Sequence, residues 1–95
     1  MHAAEGLVLQ LFVKGHTIRS ERALRSVREV CGPIDGRYQL TVVDVLEQPE
    51  LAERYRVLAT PTLIREAPAP VKRIIGDLAD LAALAIVLDV PWEPV

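Results

Sequence analysis

The stretch "LATPTL", Leu58 to Leu63, decides how the second half of this chain is read. It sets one proline between two threonines and flanks them with apolar residues. Upstream, "PELAERYRVLA" (49–59) carries Leu51, Ala52, Tyr55 and Leu58/Ala59 on one side of a helix that starts at Pro49, with Glu50 in its first turn. Downstream, "TLIREA" (62–67) and "VKRIIG" (71–76) read as two short strands, and "PAP" (68–70) permits an antiparallel return. Pro61 therefore marks a corner between a helix and a strand.

Towards the N-terminus the pattern is firmer. "LVLQLFVK" (7–14) is almost continuously apolar, as a strand covered on both faces should be. Gly15 ends it. Thr17 or Ser20 caps a helix whose buried stripe is Ala23, Leu24, Val27, Val30 and Cys31. Gly32-Pro33 stops that helix, and "YQLTVVDV" (38–45) is a second, β-branched strand. Strand, helix and strand make a βαβ unit with parallel strands and a right-handed crossover.

Towards the C-terminus, Asp77 is a good N-cap for a helix over Leu78 to Leu88, rich in Ala and Leu. The expected fold class is α/β, one domain over 1–95 with loose termini at 1–6 and 91–95. Its order, βαβαββα, resembles the thioredoxin-like arrangement, in which a proline at the place of Pro61 is cis. Three segments can be read twice. "RYRV" (54–57) alternates like a strand, "IVLDVPW" (86–92) is β-branched, and "TLIREA" would also fit a helical turn. Either this is the ordinary ambiguity of short segments, or the chain holds two competing folds.

Composition narrows the function. The 95 residues are 51% apolar, with 11 basic and 13 acidic side chains and a net charge of −2. That supports one modest core and gives no electrostatic case for nucleic acid or a membrane surface. No signal peptide is visible at "MHAAEG", and the apolar run 78–90 is too short to span a bilayer, so a cytoplasmic protein is expected. A thiol redox site needs a low-pKa thiolate and a resolving partner. The loop "GHTIRS" (15–20) holds no sulfur, and the single cysteine, Cys31, falls on a buried stripe. His16 is near Ser20 without a third group to orient a catalytic pair, and His2 falls in the N-terminal tail. No metal-ligand spacing, phosphate loop or cofactor motif is present. The conspicuous charges are Arg19, Arg22, Arg25 and Arg28 on the first helix, partly offset by Glu21 and Glu29, and a second group of Arg54, Arg56, Arg65, Lys72 and Arg73. Segregated charge in a balanced chain suits the steering of a protein partner.

Four blocks carry a more specific resemblance: "LFVKGHT..S..AL" (11–24), "Y.L.V.DVLE.PELAE" (38–53), "LATPTL" (58–63) and "PAPVKRIIGDL" (68–78). At this spacing, from about Leu7 to Val90, the chain resembles the KaiB family of circadian clock proteins. The resemblance implies a non-enzymatic, cofactor-free adaptor. Its partner would be a KaiC-type ATPase hexamer, whose phosphorylation state it modulates, with KaiA or a histidine kinase as a further partner. It also implies two folds: a thioredoxin-like monomer that binds the ATPase, and a ground state with a refolded second half, a homotetramer or dimer. Arg22, Lys72 and Arg73 match family contact residues, Arg56 stands for a family lysine, and Thr41 replaces another lysine. The family's "IGLD" is here "IVLD", so Val87 replaces a glycine tied to fold switching; Pro61, Val87 and Asp89 mark the switch region. The run Ala83-Leu84-Ala85 favours the helical, thioredoxin-like state, with cis-Pro61. A paralogue acting in stress or signalling, with another ATPase or kinase, is the alternative.

Overall fold

The first strand, β1 (Leu7–Val13), forms the axis of the molecule because it is apolar on both faces. The computed structural model describes residues 6–34, 36–76 and 78–92. β1 is followed by α1 (Ile18–Cys31), a 3-10 turn at Gly32–Ile34, β2 (Tyr38–Asp44), α2 (Pro49–Arg54), β3 (Thr62–Ala67), β4 (Lys72–Ile75) and α3 (Leu81–Leu88). The four strands form one sheet in the order β2-β1-β3-β4. β1 and β2 are parallel, as a strand–helix–strand crossover requires. β3 runs antiparallel to both β1 and β4.

Residues of β1 alternate between two packed faces. Leu7, Leu9, Leu11 and Val13 meet α1 and α3 through Ala23, Val27, Val30, Cys31, Leu84, Ala85 and Leu88. Phe12 points to the other face, where Val43, Ile64, Leu51 and Tyr55 surround it. The Phe12 and Tyr55 rings lie 5.6 Å apart and tilted by 53°. The predicted apolar stripe of α1 is the buried one. Thr17 is its cap, accepting from the Ser20 N–H through its hydroxyl at 3.1 Å. The Thr60–Pro61 bond is cis, as the thioredoxin-like order implied; so are Ala67–Pro68 and Ala69–Pro70.

Two expectations need correction. The second helix ends at Arg54 rather than continuing through Ala59. The Val57 N–H turns back to the Ala52 carbonyl at 2.8 Å, and Arg56 takes a left-handed φ of 55°. Leu58 is consequently 97% exposed instead of sharing the buried side with Leu51 and Tyr55. The third helix starts at Leu81, not Leu78. Its cap is Asp80, which accepts from the Ala83 N–H at 3.1 Å; Asp77 lies outside the described residues. Leu78 is buried in the extended lead-in, which keeps it in the core without helical geometry. Of the segments that could be read twice, neither 54–57 nor 86–92 is a strand: the chain is helical through Leu88, as the Ala83-Leu84-Ala85 run favoured, and turns at Asp89. "TLIREA" is a strand over its whole predicted length.

α3 is short and poorly ended at its C-terminus. Eight residues do not hold a helix in water without packing. Asp89 adopts φ 58°, ψ 47°, a left-handed cap that suits glycine. Its carboxylate also sits at the negative end of the helix dipole. Replacing Asp89→Gly is expected to stabilise the described fold by about 0.5–1 kcal/mol. Phe12→Ala, in contrast, should cost about 3–5 kcal/mol. Urea denaturation of the two variants beside the parent chain checks both signs.

Candidate functional site

The loop between β1 and α1 is occupied by capping rather than by chemistry. Ser20 is buried, and its hydroxyl accepts from Thr17 Oγ1 at 3.0 Å and from the Lys14 N–H at 3.4 Å. Asp44 Oδ1 accepts from the N–H groups of Gly15 (3.2 Å) and Leu46 (2.9 Å), tying this loop to the end of β2. His16 is exposed, with Nδ1 3.6 Å from Glu21 Oε2, and it has no hydrogen bond to Ser20. Glu21 thus turns to His16 rather than to Arg25. Among the described residues, no group of three or more His, Cys, Asp or Glu side chains is placed to hold a metal ion. No helix among them is long and apolar enough to cross a membrane.

The predicted contact residues fall on two regions. Arg22 is on the exposed side of α1, in line with Arg19, Arg25 and Arg28. Arg56 and Arg73 meet each other on the opposite side of the sheet. The Arg73 guanidinium donates to the Arg56 carbonyl at 3.3 Å and to the Tyr55 carbonyl. It therefore covers the carbonyl end of α2, where a cation is favoured. Lys72, one residue earlier, is exposed on β4 and stands opposite Arg65 of β3. Thr41, at the position of a family lysine, is exposed on β2.

Arg65 does not belong to that surface. It is only 4% exposed, beneath α3. Nη1 donates to the Val87 carbonyl at 3.4 Å and Nη2 to the Pro70 carbonyl at 3.0 Å, while Nε has no partner. The alternation of β3 explains the burial: Leu63 and Arg65 share the face under α1 and α3. Of the three residues expected to mark a switch region, Pro61 is buried before β3, Val87 is half-buried on α3 with its carbonyl against Arg65, and Asp89 caps that helix. A polar cluster also escaped the sequence pattern. Gln10 donates to Tyr55 Oη at 2.9 Å and to the Glu66 carboxylate, and Tyr55 donates to Glu66 at 3.4 Å. The visible signal was Gln10, the one polar residue in "LVLQLFV".

A sulfur-free cap loop and surface cations on a four-stranded mixed sheet define a thioredoxin-like domain without a redox pair. Solved structures share the fold. The N-terminal domain of Synechococcus elongatus SasA matches with a TM-score of 0.73 at 27% identity, covering 99% of this chain and 94% of that one. Mitochondrial thioredoxin 3 from Saccharomyces cerevisiae matches with a TM-score of 0.72 at 19% identity, over 90% and 78%. The KaiB domain model matches residues 10–90. The circadian clock oscillator protein KaiB of Prochlorococcus marinus (strain MIT 9312) is 48% identical over 94 residues, 98% of this chain and 90% of that protein. The protein of the same description from Synechococcus sp. (strain RCC307) is 48% identical over 87 residues, 90% and 79%. The chain belongs to the KaiB family.

The remaining nucleophile, Cys31, is fully buried at the end of α1. Burial pushes its thiol up from an ordinary 9.0 to about 11. The thiol is therefore held neutral in the fold. Between pH 9 and 11 the folded state binds more protons than the unfolded one, so this contribution falls as pH rises. The stability difference between the parent chain and Cys31→Ala should accordingly shrink across that interval. Denaturation at stepped pH measures it.

Proposed function

We propose that the chain is a non-enzymatic adaptor that docks on a KaiC-type ATPase ring and modulates its phosphorylation state. The observation that carries this reading is the near-full-length similarity to circadian clock oscillator proteins, in a domain whose thioredoxin-like loop contains no cysteine. The contact residues proposed are Arg22, Arg56, Lys72 and Arg73, all exposed. Of these, Arg73 has a double task, since its guanidinium also holds the end of α2. KaiA would be captured on the resulting complex. The thioredoxin-like monomer is the binding form, the protein works in the cytoplasm, and no cofactor takes part.

Fold switching belongs to the same reading. The second half would refold into a ground state that is a homotetramer or dimer. Support comes from the shortness of α3, from its left-handed C-cap at Asp89, and from the strand-like composition of 54–57 and 86–92. Pro61, Val87 and Asp89 lie in or beside the segments that would change. A second reading, a paralogue serving another ATPase or a kinase-related partner, draws on the likeness to the SasA N-terminal domain.

Size-exclusion chromatography with a KaiC-type ATPase, with ATP and with ADP, tests docking. A co-migrating complex is expected; separate elution under every nucleotide condition overturns the proposal. Charge reversal at Arg22 or Lys72 to Glu should weaken the complex by about 1–3 kcal/mol. Titration calorimetry of each variant measures the loss.

A further inference from the structure

β4 lies at one end of the sheet, so one side of its backbone meets no other strand among the described residues. The register shows which residues face outwards. The Gly76 N–H donates to the Pro61 carbonyl at 2.9 Å, so Gly76 faces β3. Backbone groups of an antiparallel strand alternate between its two sides. Ile74 and Lys72 therefore face β3 as well. Arg73 and Ile75 direct their N–H and C=O groups at the open edge. Exposed apolar side chains border it: Val71 is 62% and Ile75 64% exposed.

Among its described residues the same hairpin carries a surplus of positive charge, Arg65, Lys72 and Arg73 against Glu66. Among the described residues, Arg65, Lys72 and Arg73 have no carboxylate within 4 Å. Arg65 satisfies two of its nitrogens on backbone carbonyls, and so does Arg73. Neither contact cancels a full charge. The neighbouring carboxylate of Glu66 is engaged by Gln10 and Tyr55. An exposed edge strand usually threatens aggregation, and lysine on it discourages indiscriminate pairing. Two copies joined through β4 would bring Lys72 and Arg73 of each together, which like-charge repulsion disfavours. An acidic strand has the opposite sign of interaction.

We infer that the open edge of β4 receives an extended, acidic segment of the protein partner, hydrogen-bonded to the backbone of Arg73 and Ile75. Main-chain bonds supply affinity in such strand addition, and side chains select the sequence. Carboxylates on the added strand meet Lys72 and Arg56. This rests on the proposed docking to a KaiC-type ATPase and names the element that segment of the ATPase engages.

The test compares Ile75→Pro with Ile75→Thr in titrations against the ATPase. Proline removes the outward N–H without touching a bond to β3. Threonine keeps the N–H and the branched Cβ. Ile75→Pro should lose about ten- to a hundredfold in affinity, and Ile75→Thr should stay within about threefold of the parent chain. Amide exchange of the parent chain in the complex gives a readout free of any folding defect. The Arg73 and Ile75 amides should become protected on binding. Equal losses in both variants, no loss in either, or unprotected Arg73 and Ile75 amides would overturn strand addition while leaving the docking proposal standing. If the parent chain forms no complex at all, the proposed function falls and this inference falls with it.

Discussion

Everything in this molecule is arranged around the double-sided burial of β1. Its Leu9, Leu11 and Phe12 have no exposed surface, and they point to both faces of the sheet. One strand therefore joins both cores, the larger under α1 and α3 and the smaller under α2. It also joins both halves of the chain, through β2 on one side and β3 on the other. A strand in this position must be apolar almost throughout, and Gln10 is tolerated because it finds both Tyr55 and Glu66.

The two halves are held by unequal means. α1 spans 14 residues with a side-chain cap and an uninterrupted buried stripe. α3 spans 8, ends on a left-handed aspartate, and packs over a buried guanidinium. Burying a charge is costly unless it is paired, and carbonyl oxygens compensate it incompletely. Arg65 therefore does two opposed things. Its bond to the Val87 carbonyl ties the last turn of α3 to β3, and its desolvation weakens the state that contains the bond. A helix with these ends is drawn from the low-stability part of a structure. Yet Leu84, Ala85 and Leu88 of this helix share the core of β1 and α1, so its packing is bound to that of the βαβ unit.

How much of this was legible depended on how local the determinants were. The limits of α1, β1 and β2 were written in short-range pattern: an apolar run, a capping Thr17, a Gly32-Pro33 stop. β3 and β4 also fell where the apolar clusters predicted. The ends of α2 and α3 were not legible, because tertiary bonds set them. Periodicity extended α2 to Ala59; the bond from Val57 back to Ala52 ended it sooner. Leu78 fitted a helical stripe and is instead buried in an extended segment, which moves the cap to Asp80. The basic surface was half legible. Arg56 and Arg73 were named from the sequence, and their mutual contact was not. Arg65 was grouped with them because charge alone cannot show which face of a strand a residue takes; the pairing with β1 and the cover by α3 decide that.

The cap loop contains hydrogen-bonding groups and no sulfur. In a redox domain of this shape, the start of the first helix holds a thiolate that its N–H groups stabilise. Here the Ser20 N–H is taken by the Thr17 hydroxyl. Thr17 and Ser20 close the helix start between them, and Asp44 holds the loop from the neighbouring strand. These capping oxygens stand where such a domain would carry its sulfur. What remains available is backbone at the sheet edge and cations around it.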